Sequence, residues 1–485
     1  MKVLFAYLPT DSEGFMCISQ NRFSKARGDC QLIYPVVPAT GLTMLKKAGF
    51  EVSFIDSIFE QLSSKEFIER IKKLNPELLV FESKTPIIKK NWILVEEIKK
   101  VMPKIIVAVV GDHVSVLPEE TLKNSKIDFV LTGGDFDVSM LKLAKHLADK
   151  KNPLPKGCYY KKNNKIVSTG KYELLEKLDE LPLIDRNIIP WKNYHENWQL
   201  HKHMAYILAS RGCPYKCTFC SWPQMLYGER VRERSPKNVV QEMQELVEKL
   251  KVKEIFFDDD TFTWHKEWVQ DICNLILEKK IKVVWSCNGR VDNLDFETFK
   301  LMKKAGCRLI KFGVESASQE TLNKIRKGYN LKQVFHTFDA ARKAGILRHA
   351  TVMLGYPWET RKDIVNTIEL VKKLNVDTVQ FTMPIVYPGT KLFEEAKQKG
   401  WLRFNEGDWE KFDMSEPTLL NPELSSQEII ELCENAWKKV YFRPKYIFDR
   451  LTALRSIDEI KWLYRGTKGV LGNIKPLKKK ECTTC

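Results

Sequence analysis

The first third of the chain alternates short apolar runs with amphipathic stretches, and this alternation limits the folds that the chain can adopt. The apolar runs occupy residues 3–8, 52–55, 78–81, 105–110 and 129–131. The stretches between them carry apolar residues at helical spacing, as at Phe67, Ile71 and Leu74. Strands that are apolar throughout are typical of parallel sheets covered by helices on both faces. Residues 1–148 are therefore predicted to form a doubly wound α/β domain.

Composition and the turns after the predicted strands exclude several functions. Neither a Gly-x-Gly-x-x-Gly turn nor a phosphate-binding loop follows any of these strands, which argues against a nicotinamide or ATP site. Twelve Cys in 485 residues are too few for a disulfide scaffold, and we expect no signal segment or membrane-spanning stretch. We therefore expect a protein of the reducing cytoplasm, where clustered Cys serve metal or redox chemistry.

Such a cluster is formed by Cys213, Cys217 and Cys220, which follow the apolar run at residues 206–209. A four-iron cluster normally takes four Cys ligands, yet the next Cys on either side lie more than fifty residues away. Three thiolates would leave one iron open to a substrate or cofactor. Structural zinc needs four ligands, and the nearby His residues precede the loop instead of completing the set. The loop therefore predicts an iron–sulfur cluster.

Further strand–helix units follow the Cys loop. With residues 206–209 they make six strands, the others lying at 255–257, 283–286, 309–314, 351–354 and 379–382. This pattern predicts a partial (β/α)6 barrel over residues 199–400, a fold that places its active site at the carboxyl ends of the strands. The candidate site residues at these ends are Asp258, Asp259, Asp260, Asn288, Arg290, Glu315, Gly355 and Pro388.

The Cys-x3-Cys-x2-Cys loop after the first barrel strand resembles that of the radical S-adenosylmethionine (SAM) superfamily. The resemblance implies a 4Fe-4S cluster whose open iron binds SAM, and a low-potential electron donor of the flavodoxin or ferredoxin type. One electron would cleave SAM to methionine and a 5'-deoxyadenosyl radical that abstracts hydrogen from the substrate. The SAM contacts implied are Asp258, Asp259, Asn288, Arg290, Glu315, Gly355 and Pro388. Lys327 is expected at the surface, with a place near the SAM carboxylate as the alternative.

A doubly wound domain in front of such a barrel resembles the cobalamin-binding class of the superfamily. Residues 35–56 resemble the first helix and second strand of that class, and residues 109–120 its fourth strand and the following loop. The possible cobalamin contacts are Pro38, Gly111, His113 and Gly133. The chain has no Asp-x-His-x-x-Gly motif, so we expect any cobalamin to bind without a His ligand. A domain that has lost the cofactor is the alternative.

Several segments are similar to radical SAM proteins of hopanoid side-chain biosynthesis. They are residues 217–224, 232–235, 256–263 and 285–288, together with short N-terminal pieces at 14–15, 22–23, 25–28 and 34–35. This resemblance implies a cobalamin-independent radical rearrangement or ring contraction of a lipid-linked sugar. The domain architecture favours cobalamin-dependent C-methylation of an unactivated carbon in a small molecule or lipid, since local similarity does not transfer a substrate. A metal-stabilised nucleic-acid-binding protein would need basic and aromatic residues spread along a groove, and we expect no nucleic-acid partner.

Most of the net charge of +17 lies near the C-terminus. Residues 437–480 hold 13 basic and 3 acidic residues, a net charge of +10, interleaved with seven aromatic residues. This composition suits peripheral contact with an anionic membrane, possible on its inner face, but equally a helical cap over the barrel.

The remaining predictions concern the domain boundaries. Residues 149–198 are predicted to be a linker and residues 401–485 a helical, basic C-terminal region. Within that region a Ser-x-x-Glu capping box at 425–428 predicts a helix that ends near Arg443, before a second helix that begins at Pro444. Cys482 and Cys485 are predicted to lie in a flexible tail.

Overall fold

The computed structural model describes residues 1–11, 16–19, 22–23 and 31–474, and two largely parallel sheets organise them. Cys482 and Cys485 lie outside the described residues. The same is true of residues 14–15 and 25–28, which contribute to the hopanoid-type resemblance.

The first sheet belongs to the N-terminal domain and has the strand order β4-β1-β5-β6-β7-β8-β9. Its strands, with the separate ribbon β2–β3, are β1 (Lys2–Tyr7), β2 (Ile18–Ser19), β3 (Arg22–Phe23), β4 (Glu51–Asp56), β5 (Leu78–Glu82), β6 (Ile106–Val110), β7 (Phe129–Leu131), β8 (Cys158–Lys162) and β9 (Lys165–Ser168). The helices are α1 (Val36–Lys47), α2 (Ser64–Leu74), α3 (Ile88–Val101), α4 (Asp112–Val116), α5 (Pro118–Lys123) and α6 (Phe136–Ala148). The strands β4, β1, β5, β6 and β7 are parallel, as the apolar runs predict.

The sheet extends beyond residue 148, into the segment predicted to be a linker. The hairpin β8–β9 pairs antiparallel with β7 and turns at Asn163 and Asn164, which both have positive φ. Asn tolerates this left-handed conformation better than most residues. The lysines of the hairpin give it a polar composition, and an edge strand with exposed lysines is protected against pairing with other chains. Because the hairpin lacks a long apolar run, apolar patterning in the sequence does not predict it.

The second sheet is the predicted six-stranded parallel barrel sheet, in the order β10-β13-β14-β15-β16-β17. The strands, with the ribbon β11–β12, are β10 (Met204–Ile207), β11 (Ser210–Arg211), β12 (Arg232–Glu233), β13 (Glu254–Phe257), β14 (Val284–Gly289), β15 (Cys307–Glu315), β16 (Leu347–Met353) and β17 (Thr378–Thr382). The helices are α7 (Pro236–Leu250), α8 (Lys266–Glu278), α9 (Phe296–Lys304), α10 (Gln319–Lys324), α11 (Leu331–Lys343), α12 (Arg361–Lys373) and α13 (Lys391–Gln398), with a π-helical segment at Trp222–Tyr227.

Three further helices follow the barrel: α14 (Ser426–Tyr441), α15 (Pro444–Thr452) and α16 (Ile457–Ile474). The predicted capping box is present, since the Ser425 side chain accepts from the Glu428 amide and Pro444 begins the next helix. Two aromatic residues anchor these helices: the Tyr446 hydroxyl donates to the Asp377 carbonyl at 2.7 Å, and the Trp462 indole to the Trp198 carbonyl at 2.8 Å. The region therefore packs against the barrel. In the described part of the chain, no helix has both the length and the apolar character needed to cross a bilayer.

Candidate active site

The Cys loop begins directly after the short strand β11. Gly212 opens it with a φ of +93°, and a Cβ at this position would lie 2.2 Å from the Arg230 carbonyl oxygen. Only glycine fits such a close approach of two backbone segments. The Gln224 amide nitrogen then donates to the carbonyls of Cys217 at 3.1 Å and Cys220 at 2.6 Å. The loop that carries the three thiols is thus fixed by the protein itself.

The donor set fits an iron–sulfur cluster. The three thiols are free, burial raises the pKa of Cys213, and burial together with the other two thiols raises the pKa of Cys220 well above its usual value. Thiolates at these positions therefore need neutralising cations, which iron supplies. Within the described residues, no three His, Cys, Asp or Glu side chains surround a position for a single ion. A four-iron cluster takes each thiolate on a different iron, so its ligands stand farther apart than those of zinc.

The acidic triplet after β13 supports the base of the Cys loop. The Asp259 carboxylate accepts from the backbone amides of Ala209 and Ser210 and from the Ser210 hydroxyl, and Asp260 accepts from the Gly212 amide at 2.9 Å. Burial raises the pKa of Asp259 to about 7, against the effect of these hydrogen bonds. Asp259 thus already has partners within the protein, which is a structural reason for an acid here. SAM contacts from Asp258 and Asp259 stay a prediction.

Arg290, Glu315 and Lys327 form a buried polar group beside the Cys loop. Lys327 Nζ lies 2.7 Å from Glu315 Oε1, and Arg290 donates to the Lys327 carbonyl at 2.7 Å. Burial disfavours the charge of Lys327, but the Glu315 carboxylate outweighs it and raises the pKa of the ammonium. The expectation of a surface Lys327 is wrong: 8% of the residue is exposed.

The backbone also has an unusual conformation at this polar group beside the Cys loop. Glu315 has a φ of +62° at a register shift of β15, a left-handed conformation that costs a non-glycine residue on the order of 1 kcal/mol. The Arg290 guanidinium lies 3.4 Å from the centre of the Tyr215 ring in the Cys loop. Glu315 and Arg290, both proposed to hold polar groups of SAM, are therefore brought next to the thiols.

The other predicted SAM residues are engaged in packing or hydrogen bonding. Asn288 donates to the Asp259 carbonyl at 2.9 Å, so it lies at the end of the barrel that carries the Cys loop. Gly355 has a φ of +101°, and a Cβ there would lie 2.6 Å from Ile429 of α14, so backbone conformation and packing together explain the glycine. Pro388 is buried. SAM contacts from Asn288, Gly355 and Pro388 stay predictions.

The barrel interior contains polar residues that the sequence reasoning missed. Lys311, His349 and Thr378 are strand neighbours on β15, β16 and β17. The adjacent Phe312 faces the outer helices, since its ring packs on Phe338 of α11 at 5.3 Å, and strand alternation therefore turns Lys311 inward. The sequence carried a signal in β17, where polar residues stand at every second position: Thr378, Gln380 and Thr382.

His349 and Gln380 add side chains that can form hydrogen bonds to this part of the barrel. His349 Nδ1 lies 2.8 Å from the Thr378 hydroxyl, and burial with the nearby Lys311 ammonium lowers the pKa of His349 to about 3. The imidazole is therefore neutral at physiological pH. Gln380 stands two residues after Thr378, on the same face of β17, and is exposed at the edge of the open sheet.

In the N-terminal domain, His113 does not fit the role of a cobalt ligand. The residue is fully buried, with Nδ1 3.1 Å from the Thr85 hydroxyl and Nε2 3.3 Å from Glu120 Oε2. Trp409 packs on the ring edge-to-face and donates to Glu120 at 2.9 Å. Both imidazole nitrogens thus have partners, which agrees with the expectation that any cobalamin binds without a His ligand.

The other candidate cobalamin residues lie at the carboxyl edge of the first sheet or in its first helix. Gly111 has a φ of +125°, and a Cβ there would lie 2.3 Å from the Ser83 carbonyl oxygen. A Cβ on Gly133 would lie 2.5 Å from the Tyr172 ring. Pro38 is buried within α1. These positions fit a corrinoid held at the strand ends, although the two glycines also meet packing demands.

The carboxyl ends of the two sheets face each other across a polar contact. Arg211, the last residue of β11, pairs with Asp137 at 2.6 Å and with Asp135 at 3.0 Å, at the start of α6. Arg232 also pairs with Asp135, and a Cβ on Gly389, beyond β17, would lie 2.5 Å from Val116 of α4. The strand-end loops of the N-terminal domain therefore touch the segment that leads into the Cys loop.

Comparisons with known proteins match both domains. A model of the radical SAM superfamily matches residues 207–371, and a model of the B12 binding domain matches residues 42–137. An uncharacterized methyltransferase of Pyrococcus horikoshii is 29% identical over 416 residues, which cover 84% of this chain and 89% of that protein. The anaerobic magnesium-protoporphyrin IX monomethyl ester cyclase of Rubrivivax gelatinosus is 25% identical over 411 residues, 83% of this chain and 73% of that one.

A solved structure shares the whole architecture. The radical SAM methyltransferase TsrM of Kitasatospora setae, with cobalamin and a 4Fe-4S cluster bound, superposes with a TM-score of 0.70 at 17% identity, over 98% of this chain and 99% of that one. This likeness shows a common fold. Together with the two family matches, it confirms the predicted order of a cobalamin-type domain followed by a radical SAM barrel. The chain is an enzyme of the radical SAM superfamily with a B12 binding domain in front of its catalytic barrel.

Proposed function

We propose that the protein is a cobalamin-dependent radical SAM methyltransferase that methylates an unactivated carbon of a small molecule or lipid. The observation that carries the proposal is the contact between the strand-end loops of the two domains, through Arg211, Asp135 and Asp137. Because these loops carry the candidate sites of both domains, a cobalamin and the cluster would serve one shared cavity. The relative named as a methyltransferase supports this choice.

The bound groups would supply the electron that cleaves SAM and the methyl group that is transferred. The residues of the chain would bind these groups and orient the substrate. Cys213, Cys217 and Cys220 would hold the cluster, while Glu315 and Arg290 would orient SAM beside it. His349 and Gln380, in the barrel interior, would offer neutral hydrogen-bonding groups to the substrate. A closed interior that excludes water would protect the radical from side reactions.

Radical rearrangement of a lipid-linked sugar is not favoured, since the family matches include a B12 binding domain that this reaction does not need. The cyclase relative nevertheless carries a name that implies ring formation, so the two outcomes call for a direct test.

We expect protein from cobalamin-supplied cells to contain cobalt and, once its cluster is reconstituted and reduced, to convert SAM to both S-adenosylhomocysteine and 5'-deoxyadenosine. The first product would report transfer of the SAM methyl group to the corrinoid and the second would report radical formation, and mass spectrometry measures both. Corrinoid-free protein is expected to form 5'-deoxyadenosine alone. Protein without cobalt that forms no S-adenosylhomocysteine under any condition would point to rearrangement instead.

The electron donor would reach the cluster through a groove of about 780 Å³ on the outer side of the Cys loop. Thr218, between two cluster Cys, lines this groove, and its backbone bonds to Ile325 and Leu392 at 3.0 and 2.9 Å. Trp358 and Trp401 also line it, as do four basic and two acidic residues. An aromatic centre with a basic rim suits an acidic electron-carrier protein.

Reversing one charge of the groove tests this route. Arg326→Glu is expected to raise the KM for flavodoxin or ferredoxin about tenfold, because it places an acid where an acidic partner docks. The rate with a small chemical reductant should not change, since such a reductant needs no docking surface. Lys332→Glu, an exposed position on α11 outside the groove, is the control. Equal KM values for both variants would exclude the groove as the docking site of the electron carrier.

A further inference from the structure

The segment from the end of α14 through α16 carries an unusual concentration of exposed apolar side chains. Of the thirteen large apolar residues that are exposed in the described part of the chain, seven lie between residues 442 and 464. This C-terminal apolar set consists of Phe442, Ile447, Phe448, Leu451, Ile457, Ile460 and Tyr464. Scattered exposed apolar residues are normal for a protein surface, but a concentration of this kind marks a site of interaction.

Apart from Phe442, which directly follows α14, the set occupies the outer faces of α15 and α16. The inner faces are already used, because Tyr446 and Trp462 are buried and donate to the backbone carbonyls of Asp377 and Trp198. On α16, Ile457, Ile460 and Tyr464 are spaced by three and four residues, so they form one stripe along the helix. Their exposed fractions of 71%, 55% and 67% show that nothing in the described part of the chain covers this stripe.

Basic residues accompany the apolar set. Lys461 and Lys468 continue the same stripe of α16, at helical spacing from Ile457 and Tyr464, and both are exposed. The acidic residues nearby are only partly exposed and engaged: Asp458 lies 3.5 Å from a nitrogen of His201, for example. The outer face is therefore both apolar and positively charged.

We propose that this face binds an anionic lipid surface. The apolar side chains would enter the boundary between headgroups and acyl chains, while the lysines contact anionic headgroups, as in amphipathic helices that lie in a membrane interface. A second copy of the chain is a poorer occupant, because a twofold contact would bring two positively charged faces together. Nucleic acid would satisfy the lysines but leave the apolar set in water. The inference does not depend on the reaction that the enzyme catalyses.

The test compares sedimentation of the full-length protein with vesicles of phosphatidylglycerol and phosphatidylcholine or of phosphatidylcholine alone. We expect binding to the anionic vesicles only, and a drop of about 100-fold in partitioning for the variant with Phe448→Ser, Ile457→Ser and Tyr464→Ser. The control variant, Ile93→Ser with Phe335→Ser, removes two exposed apolar side chains elsewhere and should bind like the wild type.

A second variant separates charge from apolar contact. Lys461→Glu with Lys468→Glu changes only exposed side chains and should weaken binding to anionic vesicles about tenfold, with the loss disappearing at high salt. Thermal unfolding at the wild-type temperature would verify that all three variants are folded. Equal binding of the wild type and the triple serine variant overturns the proposal. So does a dimer in sedimentation velocity that the triple variant converts to monomer.

Discussion

Replacing Cys217 with Ala is expected to remove the iron–sulfur cluster and to reduce 5'-deoxyadenosine formation from SAM to background. Three thiolates are the whole protein ligand set proposed for the cluster, and each holds a different iron. Loss of one leaves two anchors, so the remaining pair cannot retain the cluster in the geometry that presents an open iron to SAM. Iron content, the visible absorption of the cluster and the product yield should fall together. Cys213→Ala and Cys220→Ala should behave in the same way.

Cys273→Ala is the matched control, because Cys273, like Cys217, is a buried free thiol but lies on α8, outside the Cys loop. This variant loses one small apolar contact, which costs on the order of 1 kcal/mol of stability and leaves iron binding intact. Wild-type iron content and product yield in Cys217→Ala would contradict the assignment of the loop as the cluster site.

Both sheets and the Cys loop could be predicted because their signals are local. A parallel strand covered on both faces must be apolar along its length, as residues 78–81 are, and three cluster ligands on one loop need no partner from elsewhere. Glycines and polar residues after such strands are equally visible. Gly111 illustrates the limit of this reasoning, because its sequence position indicates a ligand whereas its positive φ and the Ser83 carbonyl explain it by packing.

What could not be predicted depends on pairs that are distant in sequence. Lys327 looks like a surface lysine until the bulge in β15 turns Glu315 towards it. His349 gains its role from strand register, which places it between Lys311 and Thr378. The lysine-rich hairpin β8–β9 could not be predicted from apolar patterning, because an edge strand needs few apolar residues. In the C-terminal helices, composition alone could not separate the aromatic residues that anchor them from those that remain exposed.

Among the residues that form ion pairs between the two domains, Arg211 has the largest expected effect on stability. Its guanidinium contacts Asp135 and Asp137 across the domain contact, and all three side chains are at most 3% exposed. Burial would raise the pKa of Asp135, but the Arg211 and Arg232 guanidiniums hold it below its usual value. The Asp135 carboxylate is therefore charged in the folded protein. Removing one partner of a buried ion pair costs about 3–5 kcal/mol, because the remaining charge stays buried without compensation.

We therefore expect Arg211→Met to lower the free energy of unfolding by about 3–5 kcal/mol and to reduce cluster retention, since Arg211 lies two residues before Cys213. Adding Asp137→Asn should restore part of the stability, because it removes the carboxylate that loses its guanidinium partner, whereas Asp135 keeps its pair with Arg232. The control is Arg230→Met: Arg230 pairs with Glu176 at 2.8 Å on the protein surface, and such pairs contribute less than about 1 kcal/mol. Anaerobic chemical denaturation of the cluster-free wild type and the three variants measures these stabilities. Equal losses for Arg211→Met and Arg230→Met would show that the contact between the domains does not depend on this ion pair.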